Sequence, residues 1–173
     1  MTALRRPGRA LGGAGLVMAL AAASACDDKR PTPEPDPTPG PTSVDLVSAP
    51  TGDEPVEEIM KRELARAEDE GRQVLVYVGA EWCEPCKRFH DAAAAGELDD
   101  AFPTLRLVEF DADRDGARLE AAGCASKLIP LFARPTEEGR CHPELRHMGG
   151  VKGEGAVPFL TTRLKAMLSR GPS

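Results

Sequence analysis

The sequence predicts an α/β domain, a mixed sheet of four to five strands flanked by helices on both faces. Three features predict it. Val74-Leu75-Val76-Tyr77-Val78 is a short continuous apolar run rich in β-branched residues, as expected of a strand covered on both sides. Strand-like and helix-like segments then alternate through about residue 123, which requires a right-handed crossover and parallel strands. The chain finally runs through two short strands separated by a turn at Glu138-Gly139, which adds antiparallel pairing before a closing helix.

Taken in order, Val56, Ile59, Met60, Leu64 and Ala67 recur at helical spacing between Asp53 and Gly71, with Glu57 four residues ahead of Lys61. The strand at 74–78 leads into Gly79-Ala80-Glu81-Trp82-Cys83. From Cys86 to Ala95, extending toward Ala101, the chain is helix-like and Ala-rich, anchored by Phe89 and Leu98. Leu105 to Phe110 reads as a second strand and Asp113 to Gly123 as a helix ending near its glycine. Ile129 to Ala133 and Leu145 to Met148 read as the third and fourth strands. Gly155 to Leu168 is a helix presenting Val157, Leu160, Leu164 and Leu168 on one face.

The N-terminal portion has a different composition. Arg5, Arg6 and Arg9 precede an apolar stretch from Leu11 to Ala23 that is short for a membrane span, so residues 1–25 read as an export signal. Ala23-Ser24-Ala25-Cys26 has the small residues and the cysteine of a lipid-attachment site, although leucine is usual where Ala23 stands; an ordinary cleaved signal is the alternative. Residues 26–52 then form a disordered linker. Pro31, Pro33, Pro35, Pro37, Pro39, Pro41 and Pro50 lie among Thr, Glu and Asp, a composition that favours extended polyproline II and cannot bury a core. At about 3.1 Å per residue such a spacer would hold residues 53–173 several tens of ångström from a membrane.

Net charge is 22 − 28 = −6, and removal of the three signal arginines gives 19 − 28 = −9. So acidic a chain argues against nucleic acid as a partner. Export places its cysteines where disulfides persist.

Cys83-Glu84-Pro85-Cys86 lies where a buried strand meets a helix. Unsatisfied N–H groups and the helix dipole at such a junction stabilise a thiolate, which makes Cys83 the candidate nucleophile. Cys86, one turn later and more buried, is the candidate resolving thiol that closes the disulfide and releases the product. Pro85 suits an early helical position because it needs no hydrogen-bond acceptor. Trp82 is expected to shield one side of an exposed Cys83 sulfur and to offer a surface to a partner. A structural disulfide or half of a metal site remain as alternatives. His90 could add a ligand, but there is no second Cys-x-x-Cys, and neither cofactor nor metal is required by the pattern.

Val74 to Lys87, read with Ile129-Pro130, resembles the thioredoxin superfamily, and the resemblance extends over most of residues 54–170. It implies a thioredoxin fold and thiol–disulfide oxidoreductase activity. It implies further that Pro130 is cis and lies against the disulfide, that the backbone of Ile129 pairs with an incoming substrate strand, and that the proline ring keeps metal from between the cysteines. Within the superfamily the pattern is similar to the C-terminal periplasmic domain of the transmembrane thiol:disulfide interchange reductase, with His142-Pro143 after the cis-proline strand. Cys-Glu-Pro-Cys also resembles membrane-tethered thioredoxin-like lipoproteins, whose usual insertion before the third strand has no room here.

One position departs from the family. Six residues before the first cysteine, where thioredoxins bury an aspartate, this chain has Tyr77. Glu84 and Glu109 are the candidate replacements for proton transfer, and both also read as solvated surface charges.

Cys124 and Cys141 remain. A bridge would close a loop, but if Cys124 sits at the start of the strand that begins at Pro130 and Cys141 lies past its far end, about six residues at 3.3 Å separate them by nearly 20 Å. Geometry therefore argues against the bridge, which stays open beside buried free thiols and a second redox role.

The expected function is an exported, lipid-anchored dithiol reductase on the periplasmic side of a bacterial membrane. It would act on disulfide-bearing periplasmic proteins and draw electrons from a membrane donor. Glu84 destabilises a neighbouring thiolate by like charge, which favours a reductant. A non-catalytic adaptor or metallochaperone on the same scaffold, and an oxidase or isomerase using the same residues, are the alternatives.

Overall fold

A computed structural model describes residues 40–170. The expected signal at 1–25, the lipidation site Cys26 and the linker as far as residue 39 lie outside the described residues. The described chain forms β1 (Asp45–Ser48), α1 (Val56–Glu70), β2 (Gln73–Gly79), α2 (Glu84–Ala94), β3 (Leu105–Asp111), α3 (Gly116–Ala121), β4 (Leu131–Pro135), β5 (Cys141–Met148) and α4 (Ala156–Leu168), the last preceded by a 3-10 turn at Gly153–Gly155.

The five strands lie in the order β1-β3-β2-β4-β5. β3 pairs in parallel with both β1 and β2, β4 is antiparallel to β2, and β5 is antiparallel to β4. The mixed sheet and its helices match the expected fold class. Successive side chains of β2 point to opposite faces, and each face has its own core. Val74, Val76 and Val78 pack with Val108, Phe110 and the buried stripe of α1, Val56, Ile59, Met60 and Ala67. Leu75 and Tyr77 pack on the other face with Leu105, Leu107, Phe89 of α2 and Leu160 and Leu164 of α4. A strand buried on both faces loses the alternation of polarity and keeps only its apolar run, which is why residues 74–78 read as they do.

Two expectations are corrected. Asp45–Ser48 falls inside the stretch assigned to the linker, yet it forms edge strand β1, in register from Asp45 opposite Arg106 to Ser48 opposite Glu109. Side-chain anchors hold it there. The buried Arg106 guanidinium donates to Asp45 Oδ2 at 2.7 Å, Arg72 donates to the Ser43 carbonyl at 2.8 Å, and the Val44 N–H donates to Asp99 Oδ1 at 2.8 Å.

The second correction concerns Cys124 and Cys141, which are bridged, with Cα atoms 5.1 Å apart. The expected separation assumed that Cys124 stands beside Pro130. Instead the end of α3 reaches the hairpin end of β4 and β5. The Cys141 N–H donates to the Ala122 carbonyl at 3.1 Å, and Arg140 donates to the Ala121 carbonyl at 2.8 Å. Residues 125–130 then run back along the sheet edge, where Arg146 of β5 donates to the carbonyls of Gly123 and Ala125 at 3.2 and 2.8 Å. The hairpin also abuts α1. Gly139, in the turn, has φ +80°, and a Cβ there would collide with the Glu57 carbonyl.

Candidate active site

β2 ends beneath the start of α2, and the intervening turn presents Cys83 as the N-cap of that helix. The Cys83 N–H donates to the Ala80 carbonyl at 3.0 Å, and the Lys87 N–H donates to the Cys83 carbonyl at 3.0 Å, which begins the helical ladder. The Cys83 sulfur accepts the Cys86 N–H at 3.3 Å, as a capping side chain does. Pro85, which has no N–H, stands in the first turn where none is needed. Cys83 and Cys86 are joined as a disulfide, with Cα atoms 5.2 Å apart.

The pair is enclosed. Ala80, Cys83 and Cys86 form a small buried cluster against which Ala112 and Ile129 pack. The Ile129–Pro130 peptide is cis. The loop after β5 closes the same corner, since the Gly149 N–H donates to the Pro130 carbonyl at 2.8 Å. Gly150 leaves little room for a side chain: a Cβ would lie 3.0 Å from Pro85 Cβ and 3.5 Å from Pro130 Cδ. Gly79 is equally restricted, its Cβ position lying 3.3 Å from that of Cys86. Sequence reasoning missed both glycines, although the Gly149-Gly150 pair after a strand marks a close approach of backbone.

Cys83 was expected to be exposed, and it is 4% exposed while Trp82 beside it is 69% exposed. The sulfur is covered chiefly by the packed cluster and its own bridge. Trp82 is held at its indole nitrogen, which donates to Asp113 Oδ2 at 2.8 Å.

Glu84 is committed at the surface. Its carboxylate accepts from Arg88 at 3.0 Å and from the Gly153 N–H at 3.0 Å. These bonds, the Arg88 one foremost, hold it below the usual carboxylate range, so it stays ionised. The site therefore brings together Cys83, Cys86, Ile129 and Pro130, has Trp82 at its edge, and ties Glu84 to the 153–155 turn.

Tyr77 lies under Cys86. Its hydroxyl donates to the Cys86 carbonyl at 2.8 Å, and its ring stacks on Phe132 at 4.8 Å and meets the edge of Phe89 at 6.0 Å. Burial, aided by the negative charges of Glu109 and Asp91, pushes its phenol well above the ordinary tyrosine value. Glu109 sits directly opposite Tyr77 in the parallel register of β2 and β3. Glu109 Oε1 meets His90 Nδ1 at 2.7 Å, and both residues line an open cleft of about 750 Å³ that reaches Cys86 from the side of α2 facing β3.

A redox dithiol at a helix N-cap, a cis-proline loop against it, and this sheet order together define a thiol–disulfide oxidoreductase of the thioredoxin fold. Residues 57–132 match a protein family described as Thioredoxin-like. Over that stretch the chain is thioredoxin-like, and its sheet order and cis Ile129–Pro130 peptide agree with that likeness. Among solved structures it is similar to a mutant thioredoxin from Halobacterium salinarum NRC-1, at 18% identity over 78% of this chain and 99% of that one, TM-score 0.44. A poplar thioredoxin h mutant aligns at 22% identity over 77% of this chain and 88% of the other, TM-score 0.46. Thioredoxin O1 from Arabidopsis thaliana, in its oxidised state, aligns at 18% over 72% and 96%, TM-score 0.45. No curated protein matches the chain.

Proposed function

We propose that this protein is an exported, lipid-tethered dithiol reductase that acts on disulfides of proteins on the periplasmic side of a bacterial membrane and is recharged by a membrane electron donor. The observation that carries the reading is the Cys83–Cys86 pair at the α2 N-cap, packed against Ile129 beside the cis Pro130. The tether is supported by the Arg5–Arg9 and Leu11–Ala23 signal pattern, by Cys26 and by the prolines between residues 31 and 50.

Roles follow from position. Cys83 as thiolate attacks one sulfur of a substrate disulfide; a mixed disulfide forms and the other substrate sulfur leaves as a thiolate. Cys86 then attacks the Cys83 sulfur and releases the second substrate thiolate, so two electrons pass from the dithiol to the substrate. The Ile129–Pro130 backbone receives the substrate strand. Leu128 and Met148, exposed large apolar residues lining an open groove of about 420 Å³ beside that loop, suit a peptide's side chains. The reductive direction is favoured by the persistent charge of Glu84 next to Cys83, offset in part by Arg88, because a less stabilised thiolate is a better electron donor.

Insulin reduction by dithiothreitol, followed by turbidity, tests the chemistry: acceleration by the wild-type chain and its loss on Cys83→Ser are expected. No acceleration refutes the dithiol mechanism in favour of an adaptor, and full acceleration by the serine variant refutes the role of Cys83. Equilibration with glutathione tests direction, and a potential near that of strong periplasmic oxidants would reverse it. In cells, Cys86→Ser is expected to trap substrates on Cys83, and Cys26→Ala to release the protein from membranes.

A further inference from the structure

Cys86 must lose its thiol proton before it can attack the mixed disulfide, and Tyr77, which lies beneath it, offers no base. Tyr77 is neutral and already spends its hydroxyl hydrogen on the Cys86 carbonyl at 2.8 Å. Glu84 is occupied at the surface by Arg88 and the Gly153 N–H. The cleft that reaches Cys86 is lined by the carboxylate of Glu109, whose side chain is 16% exposed. Its register opposite Tyr77 places it next to the strand position under the resolving cysteine. One turn beyond Cys86 on α2, His90 Nδ1 contacts Glu109 Oε1 at 2.7 Å. Two elements thus converge on one carboxylate at the inner side of a water-accessible cleft shared with Cys86.

We infer that Glu109 is the proton acceptor for Cys86 during resolution of the mixed disulfide, through water in the cleft, and that His90 is the positioning residue that fixes its carboxylate. This rests on the dithiol reading above and deepens it. The proton leaves Cys86 Sγ for Glu109. The Cys86 thiolate forms the bond to Cys83 Sγ, the bond from Cys83 to the substrate sulfur breaks, and the electron pair departs with the substrate thiolate. Glu109 returns the proton to water in the cleft.

Other charged groups line the same cleft. Glu81 comes from the turn before α2, Lys87 and Asp91 from α2, and Asp111 and Arg114 from the end of β3 and the loop after it. Lys87 and Asp91 pair with each other at 3.1 Å, and Arg114 is held by Asp115 at 2.9 Å, so neither cation is bonded to the Glu109 carboxylate.

The test uses the reduced full-length chain and 5,5′-dithiobis(2-nitrobenzoate) in a stopped-flow instrument, with the signal of a C83S/C86S chain subtracted. Attack by Cys83 releases one nitrothiobenzoate, and resolution by Cys86 releases a second, so the two phases report the two cysteines separately. In Glu109→Gln the second phase is expected to slow about a hundredfold at neutral pH, the lower end of the range of a lost general base, while the first stays within about twofold. Its pH profile should move to higher pH. His90→Gln should slow the second phase by a smaller factor, and Glu109→Asp should restore part of it. A purely structural role would move stability without moving that profile. The inference is overturned if the second phase of Glu109→Gln, rate and pH profile alike, superimposes on wild type. Failure of the dithiol reading is distinguishable, because the wild-type chain would then release only one equivalent.

Discussion

Replacing Cys124 and Cys141 together by alanine removes a cross-link between residues 17 apart in sequence. In the chain-entropy account, a loop of that length contributes about 3 kcal/mol by restricting the unfolded chain. Both cysteines are buried and pack in the core cluster beneath α1, so each missing sulfur adds about 1 kcal/mol of unfilled volume. A total loss of about 4–5 kcal/mol is expected, a large part of what a domain of this size holds in reserve. The assay is equilibrium urea unfolding of the double variant and the wild type, both with Cys83–Cys86 oxidised. The midpoint should fall, and the slope with urea should rise because the uncrosslinked unfolded chain exposes more surface. Insulin reduction at 25 °C should persist wherever the variant is folded, because the bridge lies at the hairpin end of β4 and the redox pair beyond its other end. A double variant within about 1 kcal/mol of wild type, with unchanged slope, would refute both the bridge and the loop path that explains it.

Two further changes test the buried polar groups. Tyr77→Phe removes the hydroxyl bond to the Cys86 carbonyl and should cost about 1 kcal/mol near neutral pH. Because the folded-state value of Tyr77 is raised, its contribution is fully present below the ordinary tyrosine value of about 10 and fades as pH climbs through the higher folded one. Wild type should therefore lose more stability than the phenylalanine variant between pH 8 and pH 11, and equal losses in urea titrations would contradict the assignment. Burial alone would raise the Asp115 carboxyl, but hydrogen bonds from Arg114, the Asp111 N–H and Arg118 outweigh it and hold the group below its usual range. That stability is present above about pH 4 and is lost as pH falls through the lowered folded value. Asp115→Asn should cost roughly 2–4 kcal/mol at pH 7 and flatten the acid limb of the stability curve; a steep limb in the variant would assign it elsewhere.

The central strands and helices were legible because burial on both faces leaves an unmistakable apolar run at 74–78, and because α1 and α4 keep their spacing of apolar residues. The redox pair was legible as spacing at a strand–helix junction. β1 was not. Four residues after a proline-rich stretch carry little pattern of their own, and the strand is held by Arg106, Arg72 and Asp99, which are remote in sequence. The Cys124–Cys141 bridge failed for a related reason: whether residues 125–130 run onward or double back depends on Arg146 reaching two carbonyls from β5. Likewise nothing local to Gly150 says that its backbone will press on Pro85 and Pro130.

Tyr77 shows how one departure reorganises a site. An aspartate at that strand position, as thioredoxins have, would bring a carboxylate under the resolving cysteine from β2. The phenol brings instead a donor, and a donor can only bond an acceptor, here the Cys86 carbonyl at 2.8 Å. Its ring stacks on Phe132 at 4.8 Å and fills the space beneath α2, leaving that face of the core apolar. A charge placed among those rings would carry a large desolvation cost without a partner. Across the parallel ladder, however, position 109 lies level with Tyr77 and opens to a cleft that water enters. A carboxylate there keeps its access to water, has His90 to orient it, and faces the same cysteine from one strand over. The acid–base function thus moves from β2 to β3, and the tyrosine that displaced it secures the carbonyl of the residue it serves.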